Sequence, residues 1–198
     1  METTTLTPSS APAAAPAPAR RAVLDIDPAH ASAQFKVRHL MVSNVRGELG
    51  QVTGQVLLDE GDLSRSSVEA QVDVTQIQTR NQQRDEHLRS SDFLAVQQYP
   101  TITFRSTEVL PVEPGRLRVT GDLTLRGVTR PEVLDVELSD EVRDPWGNAK
   151  RGVVATTRIN RKHYGASWNA AMDGGGVVVA DHVDITLELE LVRRPDAA

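Results

Sequence analysis

The chain has no cysteine among its 198 residues. That excludes disulfides and thiolate metal sites, and it suits a reducing compartment. Aromatic residues make up only 4 % of the sequence, so large flat rings cannot supply most of a core. No run approaches the roughly 18 apolar residues of a membrane-spanning helix. The net charge of −5 is spread along the chain, and nothing resembles a basic nucleic-acid footprint. Catalytic fingerprints are missing as well: there is no Gly-x-Ser-x-Gly elbow, P-loop or dinucleotide motif. The five histidines, His30, His39, His87, His163 and His182, show no His-x-His or His-x-x-x-His spacing, so neither a metal site nor a cofactor is expected. Asp173-Gly174-Gly175-Gly176 precedes no helical pattern and does not qualify as a phosphate cradle.

Residues 1–21 are Thr-rich, then Ala/Pro-rich. No Lys or Arg precedes Arg20, and prolines interrupt the alanines, unlike a secretory signal. The segment reads as a disordered tail, and a cytoplasmic location is the expectation. One domain over residues 22–193 follows, then a polar tail at 194–198.

What the chain does have is period-two patterning. Phe35, Val37, His39 and Met41 share one parity; Val68, Ala70, Val72 and Val74 share another. Leu117, Val119, Gly121, Leu123 and Leu125 face opposite to Arg116, Arg118, Thr120, Asp122 and Thr124. Val183, Ile185, Leu187, Leu189 and Leu191 alternate with Asp184, Thr186, Glu188 and Glu190. Each stretch has one wet and one dry face, as antiparallel strands do. Turn signals separate them at Gly61, Pro114-Gly115, Arg126-Gly127 and Pro145 to Asn148. About eight such strands predict an all-β closed barrel or a sandwich. One polar, helix-like insertion around residues 81–98 breaks the pattern, ending where Thr101 to Phe104 resumes it. An eight-stranded barrel is filled by side chains or holds one small ligand. The Val, Leu, Ile and Ala linings fit either case, and periodicity leaves both open.

Several segments, taken in order, resemble the YceI-like family of polyisoprenoid-binding, lipocalin-like proteins. They are Phe35 to His39 with Val45-Arg46-Gly47, Ile77-Gln78-Thr79 running into Arg84 to Phe93, and Tyr99 to Phe104. Gly121 to Thr129, Ile159-Asn160-Arg161 with Tyr164-Gly165, and Asp181-His182-Val183 complete the set. The resemblance implies an elongated eight-stranded antiparallel barrel with the helical insertion near one end. It also implies an apolar tunnel holding a long isoprenoid or other amphiphilic lipid, with transport and stress-response roles and pairing into a homodimer. Many relatives carry an export signal, a feature this sequence does not show. Leu49 stands where relatives commonly have Phe, which implies a roomier wall if the position faces inward.

The candidate ligand-binding residues are Phe35, Val37, His39, Arg84, His87, Leu88, Phe93, Phe104, Trp168 and Asn169. His39 shares the dry parity of Phe35 and Val37. It is a tunnel contact or a hydrogen-bonded core histidine. Arg84 and His87, three apart, share a helical face, as do Asp85 and Arg89 at a spacing of four. They form either a solvated helix with an Asp85–Arg89 surface pair, or a mouth at which Arg84 and His87 meet a polar head group. Ser90-Ser91-Asp92 is a candidate cap for a second short turn carrying Phe93 and Leu94. The leading functional expectation is a non-enzymatic lipid carrier. The alternatives are a lipid-modifying enzyme using His87 with Asp85 or Arg84, and a filled-barrel interaction module.

Overall fold

A computed structural model describes residues 21–171 and 175–195. The ten strands are β1 (Arg21–His39), β2 (Ser43–Glu48), β3 (Gln51–Asp59), β4 (Ser67–Asp73), β5 (Thr101–Glu113), β6 (Arg116–Leu125), β7 (Val128–Leu138), β8 (Val142–Arg143), β9 (Ala149–Asn160) and β10 (Val179–Arg193). Eight of them pair in the order β10-β1-β3-β4-β5-β6-β7-β9, and β9 pairs back to β10, which closes an antiparallel barrel. Short β2 and β8 lie off this ring, against β1 and β9. The expected eight-stranded barrel with a single helical insertion is therefore what the chain forms. Closure leaves the eight strands without the open edges that invite mispairing. The Thr/Ala/Pro-rich start and the end of the 194–198 tail lie outside the described residues, as do Asp173 and Gly174.

Alternation dictates the faces. On β6, Leu117, Val119, Leu123 and Leu125 are buried while Arg116, Arg118 and Asp122 are exposed. β1 serves two neighbours in turn. Its first part, Arg21–Asp25, pairs with β3, and Gln34–His39 pairs with β2. The change falls at a register shift against β10 between Ile26 and Ala31. Pro28 sits there, where a missing N–H breaks no ladder bond. At Gly121 a Cβ would lie 2.4 Å from the Phe104 ring, so the absent side chain is what lets Phe104 lie flat on β6.

The insertion is narrower as a helix than the pattern suggested. Helix α1 spans Gln82–Arg89 and the chain then proceeds by turns. Asn81 caps it by accepting from the Arg84 N–H at 3.0 Å. Arg89 donates to the carbonyls of Thr75 and Ile77 at 2.9 and 2.7 Å. From the β6–β7 turn, Arg126 donates to the carbonyls of Ser91, at 2.9 Å, and Phe93. That turn holds Arg126 and Gly127 at φ 52° and 72°, the left-handed pair a two-residue hairpin loop requires. So the insertion is stitched to the segment after β4 and to the β6–β7 turn, and lies across one end of the barrel. Among the described residues no helix is long and apolar enough to cross a membrane.

Candidate functional site

The dry faces of the eight strands do not close on one another completely. Two cavities remain, of about 150 and 100 Å³. The larger occupies the barrel proper and is walled by aliphatic side chains of every ring strand, with Phe104 as its one aromatic. The smaller lies under the insertion, walled by Phe35, Val37, Ile77, Leu88, Phe93 and Leu94 among others. Leu49, Ile102, Leu125, Ile159 and Ile185 line both, so the two are adjoining chambers along the barrel with a waist of these side chains between them. Apolar voids of this size stay dry and accept apolar ligands.

Polar wall atoms are few. The polar residues of the larger chamber are Ser66, Ser67, Thr103, Thr157 and Arg151, and they line it almost wholly through their carbon atoms. In the smaller one the only polar wall residue is Arg161. Arg161 is buried, at 5 % exposure, and its guanidinium is consumed by backbone carbonyls. Nε donates to Ala180 at 2.9 Å, Nη1 to Ala166 and Trp168 at 2.5 and 2.9 Å, and Nη2 to Val179 at 3.2 Å. Burial pushes its pKa down from the usual arginine value, while Asp181 at 3.9 Å opposes that. The group stays charged and ties the β9 exit to the start of β10. Its face also lies 5.8 Å from the centre of the Phe93 ring.

This geometry coincides with a family-level match. The model of the YceI-like domain matches residues 24–191. The chain belongs to the YceI-like family. A UPF0312 protein of Vibrio cholerae is 37 % identical over 172 residues, covering 87 % of each chain. One from Staphylococcus aureus is 36 % identical over 165 residues, covering 83 % of this chain and 94 % of that one. Among solved structures, the YCEI protein of Campylobacter jejuni superposes with a TM-score of 0.68 at 25 % identity, over 79 % of this chain and 90 % of that one. BcnA of Burkholderia cenocepacia gives 0.73 at 20 % identity, over 84 % and 99 %. A polyisoprenoid binding domain from Saccharophagus degradans gives 0.60 at 15 % identity, over 88 % and 100 %; these last two likenesses concern the fold.

Within this YceI-like barrel the candidate residues separate into two groups. Phe35, Val37, Leu88 and Phe93 wall the smaller chamber and Phe104 the larger. Leu49 is buried and faces inward at the waist, so the exchange of Phe for Leu does bear on the tunnel. His39, Arg84, His87, Trp168 and Asn169 are not wall residues of either chamber. His39 keeps the parity of Phe35 and Val37, but it pairs with Val179 and Ser43 at the strand end, beyond the wall. Arg84 spends its donors on Thr79, at 2.6 Å to Oγ1 and 2.8 Å to the carbonyl. His87 lies 2.8 Å from Asp92 and packs edge-on against Phe93 and Trp168, with centroids 5.0 and 4.8 Å away. It backs the wall and does not form it. Asn169 grips both backbone groups of Val179, donating at 2.7 Å and accepting at 3.1 Å.

The one ion pair expected from helix spacing is replaced. Asp85 does not meet Arg89; it is buried and accepts from the N–H and hydroxyl of Thr79 at 2.8 and 2.5 Å. The reason is that its face of α1 turns inward onto the 77–80 segment, where an N–H needs an acceptor. Ser90 caps the following turn only loosely, its hydroxyl accepting from Asp92 N–H at 3.3 Å while it donates to the His87 carbonyl. Arg84 and Asp85 thus meet at Thr79, while His87 pairs apart from them with Asp92.

The fold also gathers Asp27, His30 and Glu190 so that their ligand atoms lie within 4.8 Å of one another, a grouping that no sequence spacing announces. Lys150 Nζ sits 2.5 Å from Glu190 Oε1, so the cationic position beside that carboxylate is already taken by the chain's own ammonium.

Proposed function

We propose that this YceI-like protein binds, stores or carries a long-chain isoprenoid or other amphiphilic lipid in its tunnel, without altering it chemically. The observation that carries the reading is the pair of adjoining voids inside the barrel, whose walls are aliphatic apart from a handful of side chains. Its structural likeness to a protein described as a polyisoprenoid binding domain supports the same ligand class. Each methylene buried contributes about 0.8 kcal/mol, so a long chain supplies the driving force without a dense polar code. Affinity should then follow chain length more than chemical identity. The waist and the stitched insertion divide the roles: the lower barrel takes the chain, and α1 with Phe93 and Leu94 closes the far end.

The test is organic extraction of the purified protein followed by mass spectrometry, with binding of polyprenyl and fatty-acyl ligands measured after delipidation. A stoichiometric extracted lipid, or affinity that rises with chain length, is expected. No extractable lipid together with no binding at any chain length would sink the proposal.

A further inference from the structure

The tunnel wall contains a second inward arginine whose chemistry is unfinished. Arg151 sits on β9 with the parity of Val153, Ala155 and Ile159, and lines the larger chamber. It is ten residues from Arg161 along the same run of chain, so eight strand positions or about 26 Å separate it from Ile159 at the waist. Unlike Arg161, it is not saturated. Nη1 donates to the Ser139 carbonyl at 2.9 Å, but Nε is shielded from solvent and has no hydrogen-bond partner. No carboxylate among the described residues lies within 4.0 Å of its guanidinium. The neighbouring Glu141 is held by Arg193, which donates at 3.0 and 2.6 Å.

The position is also a threshold. Leu138, Arg151, Val153 and Leu189 line both the apolar chamber and an outer groove of about 1070 Å³. Three of the groove's acidic groups are paired within the chain: Glu137 with Arg116 at 2.8 Å, and Glu190 and Asp144 sharing Lys150 at 2.5 and 3.7 Å; Glu188 also lines the groove, with no ion pair among the described residues. A guanidinium with a buried, unused donor is costly unless something completes it. An anionic oxygen group suits the vacancy, because hydrogen bonds to a charged acceptor are the strong ones.

We propose that Arg151 anchors the anionic head group, a carboxylate or phosphate monoester, of an amphiphile whose chain lies in the tunnel. The head then rests at the end of the barrel away from the insertion, and the chain points toward α1. This rests on the tunnel being a lipid site, and it places the polar end opposite to Arg84 and His87.

The test uses the delipidated full-length protein and two matched pairs: palmitic acid with hexadecanol, and farnesyl phosphate with farnesol. Wild type should bind each anion at least tenfold more tightly than its neutral partner. Arg151→Met should remove that preference while leaving both alcohols within about twofold of wild type. Arg151→Lys should keep part of it. Should the methionine variant fail to fold, the Arg151 Nε–H resonance of the wild type decides: it should shift with the anions and stay put with the alcohols. Alcohols and anions binding wild type equally, or a preference that survives Arg151→Met, would overturn the head-group assignment alone. Failure of all four ligands to bind wild type would instead overturn the lipid-binding reading. A preference for only one anion of the two identifies the head as carboxylate or phosphate and supports the assignment.

Discussion

Ala155→Leu is the perturbation that most directly separates a hollow barrel from a filled one. Ala155 is buried on β9, paired with Leu187 and Val136, and its methyl faces the chamber of about 150 Å³. Leucine adds three carbons, which must go into that void. In a filled barrel such overpacking costs about 1–3 kcal/mol of stability. In this one the added carbons gain wall contacts, so unfolding stability should hold or rise. A ligand chain, however, loses the space. Displacing about three methylenes at roughly 0.8 kcal/mol each removes about 2.4 kcal/mol of binding, or roughly 50-fold in Kd. The assay is displacement of a fluorescent fatty acid by chains of increasing length, alongside chemical denaturation of the ligand-free variant. The loss should be small for short chains, which fit in the remaining space, and full for long ones. Unchanged affinity at every length, with stability preserved, would refute the identification of this chamber as the binding site. A stability loss of 1 kcal/mol or more would refute the void itself.

Leu49→Phe at the waist should weaken long chains more than short ones, by a few-fold, in the same displacement assay. Arg161→Met strands the carbonyls of Ala166, Trp168 and Ala180, that of Val179 keeping its bond from Asn169, and at about 1–3 kcal/mol for a buried acceptor left unpaired the variant should lose about 3 kcal/mol or more in denaturant unfolding; Arg161→Lys should rescue little, since one ammonium cannot span that fork. Asp59 is buried, and hydrogen bonds from Arg65, at 2.9 and 2.6 Å, hold its carboxyl below the usual range, helped by the Asp62 and Gly61 N–H groups. Because the folded value lies below the unfolded one, its contribution is complete above about pH 4 and is lost as pH falls through the folded value. Thermal melts should show Asp59→Asn less stable than wild type at pH 7 and the difference shrinking toward pH 3. Arg126→Ala removes the bonds to Ser91 and Phe93, and hydrogen exchange across residues 90–98 should quicken while the barrel strands keep their protection.

Much of this protein was determined by its sequence alone. Period-two alternation settles which residues face inward, since a strand must bury one side and wet the other. That is why Phe35, Val37 and Phe104 were readable as wall, and the aliphatic runs of β6 and β10 as lining. The same alternation carries a further signal: Arg151 and Arg161 continue the inward parity of Val153 to Ile159, and a cation at a dry position needs a partner. Parity says in or out, but not opposite what. Only the tertiary structure decided that Arg161 is spent on four carbonyls, that Asp85 turns to Thr79 and not to Arg89, and that Arg84 and His87 stand behind the wall. Those outcomes depend on which N–H or carbonyl the closed barrel leaves nearby without a partner. Closure itself, through β9 against β10 and a bent β1 shared between β2 and β3, is likewise a matter of distant segments meeting. It is also what turns a set of dry faces into a tunnel.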